Sequence, residues 1–237
     1  MCGLTGFLGE AAQRDDAENI ARRMAKQIAH RGPDDDGVWI DRDAGIALAH
    51  RRLAIIDLSQ AGHQPMVSAS GRYVAAYNGE IYNFRQLRSE LDRTGRAPNW
   101  QGHSDTEVML AAMEAWGVAE ALTRFNGMFA LALWDRKSAK LVLARDIVGE
   151  KPLYYGTSGK NFIFGSELKA LSQFPGFSSQ IDRQALNLYI RHNYVPSPLS
   201  IWTDIRKLPP AHYLELEIGK QPVISPYWSL RNVVARG

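Results

Sequence analysis

Apolar residues recur every four positions at Ile20, Met24 and Ile28, the spacing of one helix face, and Asp16 stands where a cap belongs. The pattern predicts a helix from there to about His30, where Arg31-Gly32-Pro33-Asp34 breaks it. Ahead of it, Gly3 to Leu8 reads as a short buried strand. Residues 37–41 and 46–49 read as paired strands, followed by a compact apolar run, Leu53-Ala54-Ile55-Ile56, between Arg52 and Asp57. Tyr73 to Tyr77 predicts a strand that stops at Asn78-Gly79, a dipeptide that tolerates positive φ and marks a tight turn. A helix is expected from Asn83 to about Thr94. Ser104-Asp105-Thr106-Glu107 has the spacing of a capping box, with a hydroxyl at the cap and a carboxylate three residues on. The helix behind it ends before Gly117, and a short one follows over 118–124.

The second half is richer in strands. Met128 to Trp134 is almost wholly apolar and does not alternate, as expected of a strand covered on both faces. Leu141 to Ala144 is its hairpin partner. A further hairpin spans Leu153–Tyr155 and Asn161–Phe164. Residues 182–193 read as a helix capped by Asp182, and a last hairpin joins Tyr213–Glu217 to Val223 across Gly219-Lys220. Ten or more strands, with helices before and after groups of them, lack the regular alternation of a nucleotide-binding sheet. They predict an α+β fold of two antiparallel-rich sheets stacked on each other and covered by helices. Residues 1–228 read as one domain. Residues 229–237 carry no core pattern and read as a tail or truncated linker.

Composition narrows the function classes. The 237 residues hold 28 basic and 25 acidic side chains, a net charge of +3 that is too small to point to nucleic acid or an anionic membrane. A single cysteine excludes an intramolecular disulfide and cysteine-rich zinc sites. The histidines show no metal-ligand spacing, so no metal is assigned. The N-terminus lacks the pattern of a signal peptide, and no run approaches 18 apolar residues. A cytoplasmic protein is the expectation.

That one cysteine directly follows the initiator methionine. Removal of Met1 would leave Cys2 with a free α-amine, so that one residue holds both nucleophile and base. A thiol near pKa 8.5 gives some thiolate at neutral pH, and an amine near 7.7–8.0 accepts its proton. Gly3 behind it allows close backbone approach. If Met1 is retained, the amine is blocked and this chemistry cannot run.

Eight ordered motifs carry a resemblance. They are Met1-Cys2-Gly3-Leu4-Thr5-Gly6-Phe7, His30-Arg31-Gly32-Pro33-Asp34, Arg52-Leu53-Ala54-Ile55-Ile56-Asp57 and His63-Gln64-Pro65-Met66, then Tyr77-Asn78-Gly79-Glu80-Ile81-Tyr82-Asn83, Ser104-Asp105-Thr106-Glu107, Gly149-Glu150-Lys151-Pro152-Leu153-Tyr154-Tyr155 and Ser166-Glu167-Leu168-Lys169-Ala170-Leu171. Over nearly the whole chain this resembles the glutaminase domain of glutamine-hydrolysing asparagine synthetases, class II glutamine amidotransferases among the N-terminal-nucleophile hydrolases. The resemblance implies a four-layer αββα sandwich and hydrolysis of L-glutamine to glutamate and ammonia. It implies Cys2 as nucleophile, Asn78 and Gly79 as oxyanion donors, and Arg52 as the clamp on the substrate α-carboxylate. Glu80, through its side chain or its carbonyl, and Asp105 would meet the substrate amino group. An arginine fork suits a carboxylate, and paired N–H groups suit a developing oxyanion. Arg51 beside Arg52 is the alternative register for the clamp. His30 and Arg31 are expected to position the Cys2 loop.

The chain also departs from the larger family. It has no Ser-Gly-Gly-x-Asp-Ser pyrophosphate loop and no Walker-type loop, so ATP and Mg are implied only for a synthetase domain elsewhere, in cis or in trans. No cofactor is expected in this chain. Ile147 replaces a charged or ring residue, and Ala211 stands where the family usually has glycine. The apolar stretch 128–133 is expected to line an exit for ammonia. A homodimer, an acceptor other than aspartate, and a catalytically silent interaction domain of the same fold remain as alternatives.

Overall fold

The computed structural model describes residues 1–55 and 57–235. Twelve strands among these form two six-stranded sheets. In the first, β1 (Gly3–Leu8) lies between β3 (Ile46–Arg52) and β9 (Asn161–Gly165); β2 (Asp35–Asp41) flanks β3, and β8 (Tyr154–Ser158) and β10 (Ile205–Lys207) continue beyond β9. In the second, β5 (Tyr73–Ile81) and β6 (Gly127–Asp135) form the longest pair. The short β4 (Met66–Val67) lies outside β5, and β7 (Lys140–Arg145), β11 (His212–Glu217) and β12 (Val223–Pro226) follow β6. Every recorded pairing is antiparallel, from Gly3 opposite Arg51 to Gly79 opposite Phe129.

Side-chain alternation explains why the central strands are apolar throughout. Leu4, Leu48, Val74, Ala76, Ala132 and Trp134 meet between the sheets. Their neighbours turn outward under helices. Phe7, Ala47 and Ala49 pack under α1 (Ala17–Lys26) and α5 (Leu168–Leu171). Tyr73, Tyr77, Leu131 and Leu133 pack under α2 (Phe84–Arg93), α3 (Asp105–Trp116) and α4 (Val118–Arg124). The expected four-layer αββα sandwich is therefore the observed one. The remaining helices are α6 (Arg183–His192), capped by Asp182 as expected, and α7 (Leu230–Val234), which buries no side chain. Residues 236–237 of the expected tail lie outside the described residues, as does Ile56 of the apolar run. No helix among the described residues is long and apolar enough to cross a membrane.

Four local expectations need correction. The first helix ends at Lys26, and a 3₁₀ turn over Ala29–Arg31 replaces its predicted last turn. Asp16 makes no capping bond because its carboxylate is held by Arg14 at 2.7 and 2.8 Å. The strand from Tyr73 does not turn at Asn78-Gly79 but runs on to Ile81, because β6 pairs with it along its full length. Neither residue has positive φ. The capping box is half formed: Ser104 accepts from Glu107 N at 3.3 Å, but the Glu107 carboxylate takes the Gln101 and Gly102 amides at 2.7 and 3.1 Å.

Candidate active site

Cys2 immediately precedes β1, and the β1–β3 register brings it beside Arg52 and Leu53. Its Sγ accepts from Leu53 N at 3.4 Å and lies 3.6 Å from Leu53 O, so the thiol is held by the backbone of one residue. Gly3 behind it lets the Ile28 and Arg31 side chains close in: a Cβ there would stand 2.9 Å from Ile28 Cδ1 and 3.1 Å from Arg31 Cδ. Arg31 Nη1 donates to Cys2 O at 3.5 Å, and its guanidinium is paired with Glu167, which His30 and Lys169 also contact at 3.0 and 3.1 Å. His30 and Arg31 thus stand behind the Cys2 backbone. Burial pushes the Cys2 thiol above its ordinary pKa, while the Leu53 amide, the terminal ammonium and Arg52 oppose that rise.

One pocket gathers Cys2, Arg52, Gly79, Glu80 and Asp105, with Met1, Leu53, Asp57, Gln64, Tyr77, Met128 and Lys151 around them. Arg52 is buried, with Nη1 on Ser59 O at 3.0 Å and Nη2 on Asp57 O, so its fork is fixed by the loop it supports. Asp57 holds that loop in turn. Its carboxylate accepts from Ser59 N and Oγ at 2.8 and 2.6 Å and from His103 N at 3.1 Å. Arg51 points elsewhere, to Gly32 O at 3.0 Å and Asp36 at 3.1 Å, and of the two arginines Arg52 lines the pocket.

The opposite wall is the outer edge of β5. Phe129, across from Gly79, directs its own N–H and C=O to Asp146 (3.1 and 2.8 Å) and therefore away from β5. By the alternation of an antiparallel ladder, Gly79 directs its N–H to the other edge. On that same edge Tyr77 N donates to Gln64 Oε1 at 2.7 Å and Ile81 N to Asp105 Oδ2 at 2.9 Å. Gly79 N, between them, has no loop or side-chain partner among the described residues. Only glycine fits here, since a Cβ would come within 2.3 Å of Met128 O and 2.7 Å of Phe129 Cα. Asn78 points between the sheets, is almost wholly buried, and leaves its Nδ2 with no hydrogen-bond partner. A buried donor without an acceptor is costly, so it is a natural place for a ligand oxygen.

Asp105 is the first residue of α3 and is buried. Its Oδ2 accepts from Tyr77 Oη and from Ile81 N, both at 2.9 Å. Burial pushes its carboxyl up, and those two donors partly restore its acidity. Glu80 is half-buried and lines the pocket, and its carboxylate has no partner among the described residues. All six residues proposed from sequence thus lie on or beside one pocket, Asn78 being adjacent to its lining. Tyr77, Gln64 and Lys151 were missed as individuals, although each sits inside a motif: Tyr77 ahead of Asn78, Gln64 ahead of Pro65, Lys151 ahead of Pro152. Of the stretch 128–133 expected to line an exit, one residue reaches the pocket. Met128 lines the pocket, but Leu131 and Leu133 are fully buried under α3, where odd-numbered β6 side chains must point.

A cysteine leading into a central strand of a stacked αββα sandwich is the arrangement of an N-terminal-nucleophile type of fold. A solved structure of the same architecture is the glutamine phosphoribosylpyrophosphate amidotransferase of Bacillus subtilis, with a TM-score of 0.69 at 18% identity over 96% of this chain and 49% of that one. Residues 1–228 match the family model described as a glutamine amidotransferase domain, and the chain belongs to that family. Among its relatives, asparagine synthetase [glutamine-hydrolyzing] 1 of Bacillus subtilis is 38% identical over 212 residues, covering 89% of this chain and 32% of the relative. Asparagine synthetase [glutamine-hydrolyzing] 3 of the same organism is 36% identical over 217 residues, covering 90% and 34%. The chain spans about a third of the length of these relatives.

Proposed function

We propose that this chain hydrolyses L-glutamine to L-glutamate and ammonia through a Cys2 thioester, and that the ammonia serves an ATP-dependent amidation of the asparagine-synthetase type carried outside these 237 residues. The observation that carries the reading is the convergence, on one pocket, of a thiol, a buried arginine, a buried carboxylate and the outward-facing Gly79 N–H, with the unpartnered Asn78 Nδ2 adjacent to its lining. Arg52 takes the substrate α-carboxylate, while Asp105 and Glu80 take its ammonium. Removal of Met1 frees the Cys2 amine, which draws the proton from the thiol. The thiolate attacks the side-chain amide carbon, and the oxygen of the tetrahedral adduct takes its charge between Asn78 Nδ2 and Gly79 N–H. The C–N bond then breaks, the Cys2 ammonium protonates the leaving nitrogen, and ammonia departs. Water, deprotonated by the same amine, hydrolyses the thioester to glutamate and regenerates the thiol.

The test is intact mass before and after 6-diazo-5-oxo-norleucine, alongside glutamate release from glutamine. Loss of one methionine, a single adduct at Cys2 and turnover are the expected results. A mature chain that forms no adduct and releases no glutamate overturns the proposal in favour of a silent domain of the same fold. Amides lacking the α-carboxylate should be rejected, because Arg52 would then face no partner; equal turnover of those would also overturn it.

A further inference from the structure

The nucleophile and the oxyanion donors belong to different sheets. Cys2 leads into β1 of the first, while Asn78 and Gly79 lie on β5 of the second. Their separation is therefore set by how the sheets stack, and apolar packing alone leaves that stacking without directional restraint. Among the described residues, one hydrogen bond joins strands of the two sheets: His50 Nε2, on β3, to Tyr77 O, on β5, at 2.9 Å. His50 is opposite Leu4 of β1 and fully buried. The carbonyl it holds belongs to the peptide that joins Tyr77 to Asn78.

We propose that His50 is a positioning residue that fixes the Tyr77–Asn78 peptide, and with it the Asn78 donor, relative to Cys2. The proposal rests on the glutaminase reading above. A carbonyl only accepts, so the ring donates through Nε2 and its Nδ1 bears a lone pair; that atom has no partner. Burial lowers the His50 pKa to about 4, so the ring is neutral at neutral pH and this tautomer persists. A buried imidazole with one orphan nitrogen is a poor choice for packing alone, where leucine fills similar space without an unpaired polar atom. The cross-sheet bond explains it. The other bonds to Tyr77 complete the restraint: its N–H is held by Gln64 and its hydroxyl by Asp105, so His50 supplies the third fixed point.

The test compares His50→Leu, which removes the donor, with His50→Gln, which places an amide N–H at similar reach. Inhibition is read with L-glutamate γ-semialdehyde, which forms a tetrahedral adduct with the thiol, and with L-glutamate, which does not. His50→Leu is expected to lower kcat about 30-fold and weaken the aldehyde by a similar factor, with the glutamine KM and glutamate inhibition within about 3-fold. His50→Gln should restore most of both. In an Asn78→Ala background either substitution should cost little more, because the donor being positioned is gone. If His50→Leu does not fold, His50→Gln and its combination with Asn78→Ala carry the comparison. Equal weakening of aldehyde and glutamate, or full additivity with Asn78→Ala, reduces His50 to packing and overturns the proposal. Wild-type protein that neither turns over glutamine nor binds the aldehyde overturns the glutaminase reading itself.

Discussion

The two walls of the pocket are built in opposite ways. On the Arg52 side, a loop from Leu53 to His63 leaves Ile55 69% and Leu58 78% exposed, and its shape rests on polar ties among Arg52, Asp57 and Ser59. On the β5 side, Tyr77, Asn78, Ile81 and Asp105 are buried and continuous with the second sheet's core. A wall of loop admits substrate and can adapt to it. A wall of core keeps donors at fixed positions with little reorganisation, which is what stabilising a transient oxyanion demands. The comparison predicts that loss of an oxyanion donor in the core wall acts on rate, and that substitutions in the loop act on binding.

The sharpest check is Asn78→Ala. Loss of one oxyanion donor should cut kcat by about 10²–10³, while thermal stability stays level because the side-chain donor is unpaired in the resting protein. A loss below threefold, measured by glutamate release, would break the comparison. Next is the acid side of the stability curve. The His50 pKa falls from 6.5 unfolded to about 4 folded. The unfolded chain thus binds the extra proton first, and stability present above pH 6.5 is lost as pH falls toward 4. The linkage amounts to about 3 kcal/mol. Urea melts at stepped pH should show that slope in wild type and lose its His50 share in His50→Gln.

Asp105→Asn should weaken kcat/KM by about 10- to 100-fold, the worth of a charge-assisted hydrogen bond to an ammonium. Its stability effect has the opposite pH sign to that of His50. With its carboxyl raised by burial, the folded protein is favoured as pH drops through that range, and the asparagine variant lacks this gain. Chemical denaturation across acidic pH, paired with kinetics, checks both halves. A smaller effect is expected behind the core wall at Ala211, whose φ of 60° lies in the left-handed region. Its N–H donates to Asp146 O at 2.9 Å, and Asp146 supports Phe129 opposite Gly79. Ala211→Gly should stabilise by about 1 kcal/mol with turnover unchanged. The smallest effect belongs to Ile55→Ser and Leu58→Ser. Melting should stay within about 0.5 kcal/mol of wild type, with any kinetic change in KM rather than kcat.

Much of this was readable beforehand where a signal is local. The helix over 118–124, the Asp182 cap and the hairpin over 141–144 each depend on neighbours a few residues away, and each was expected in place. The misreadings share a cause. Asn78-Gly79 has the local chemistry of a turn, yet pairing with β6 keeps the strand extended through it. Asp16 is a good cap by type, but Arg14 competes for its carboxylate. Leu131 and Leu133 were grouped with Met128 because a non-alternating run does not disclose which face each residue takes.

By itself, the sequence determined the family, the order of motifs, the single thiol at the chain's start and the residue types able to grip both ends of an amino acid. Those properties reside in residue identity and short spacing. Tertiary structure alone decided that Arg51 turns away to Gly32 and Asp36, that Gly79 turns its N–H to a free edge of β5, and that His50 ties one sheet to the other across 27 residues of chain. The reason is that these outcomes depend on strand register and on how two sheets stack. Both are set by contacts between residues distant in the chain, which no local pattern encodes.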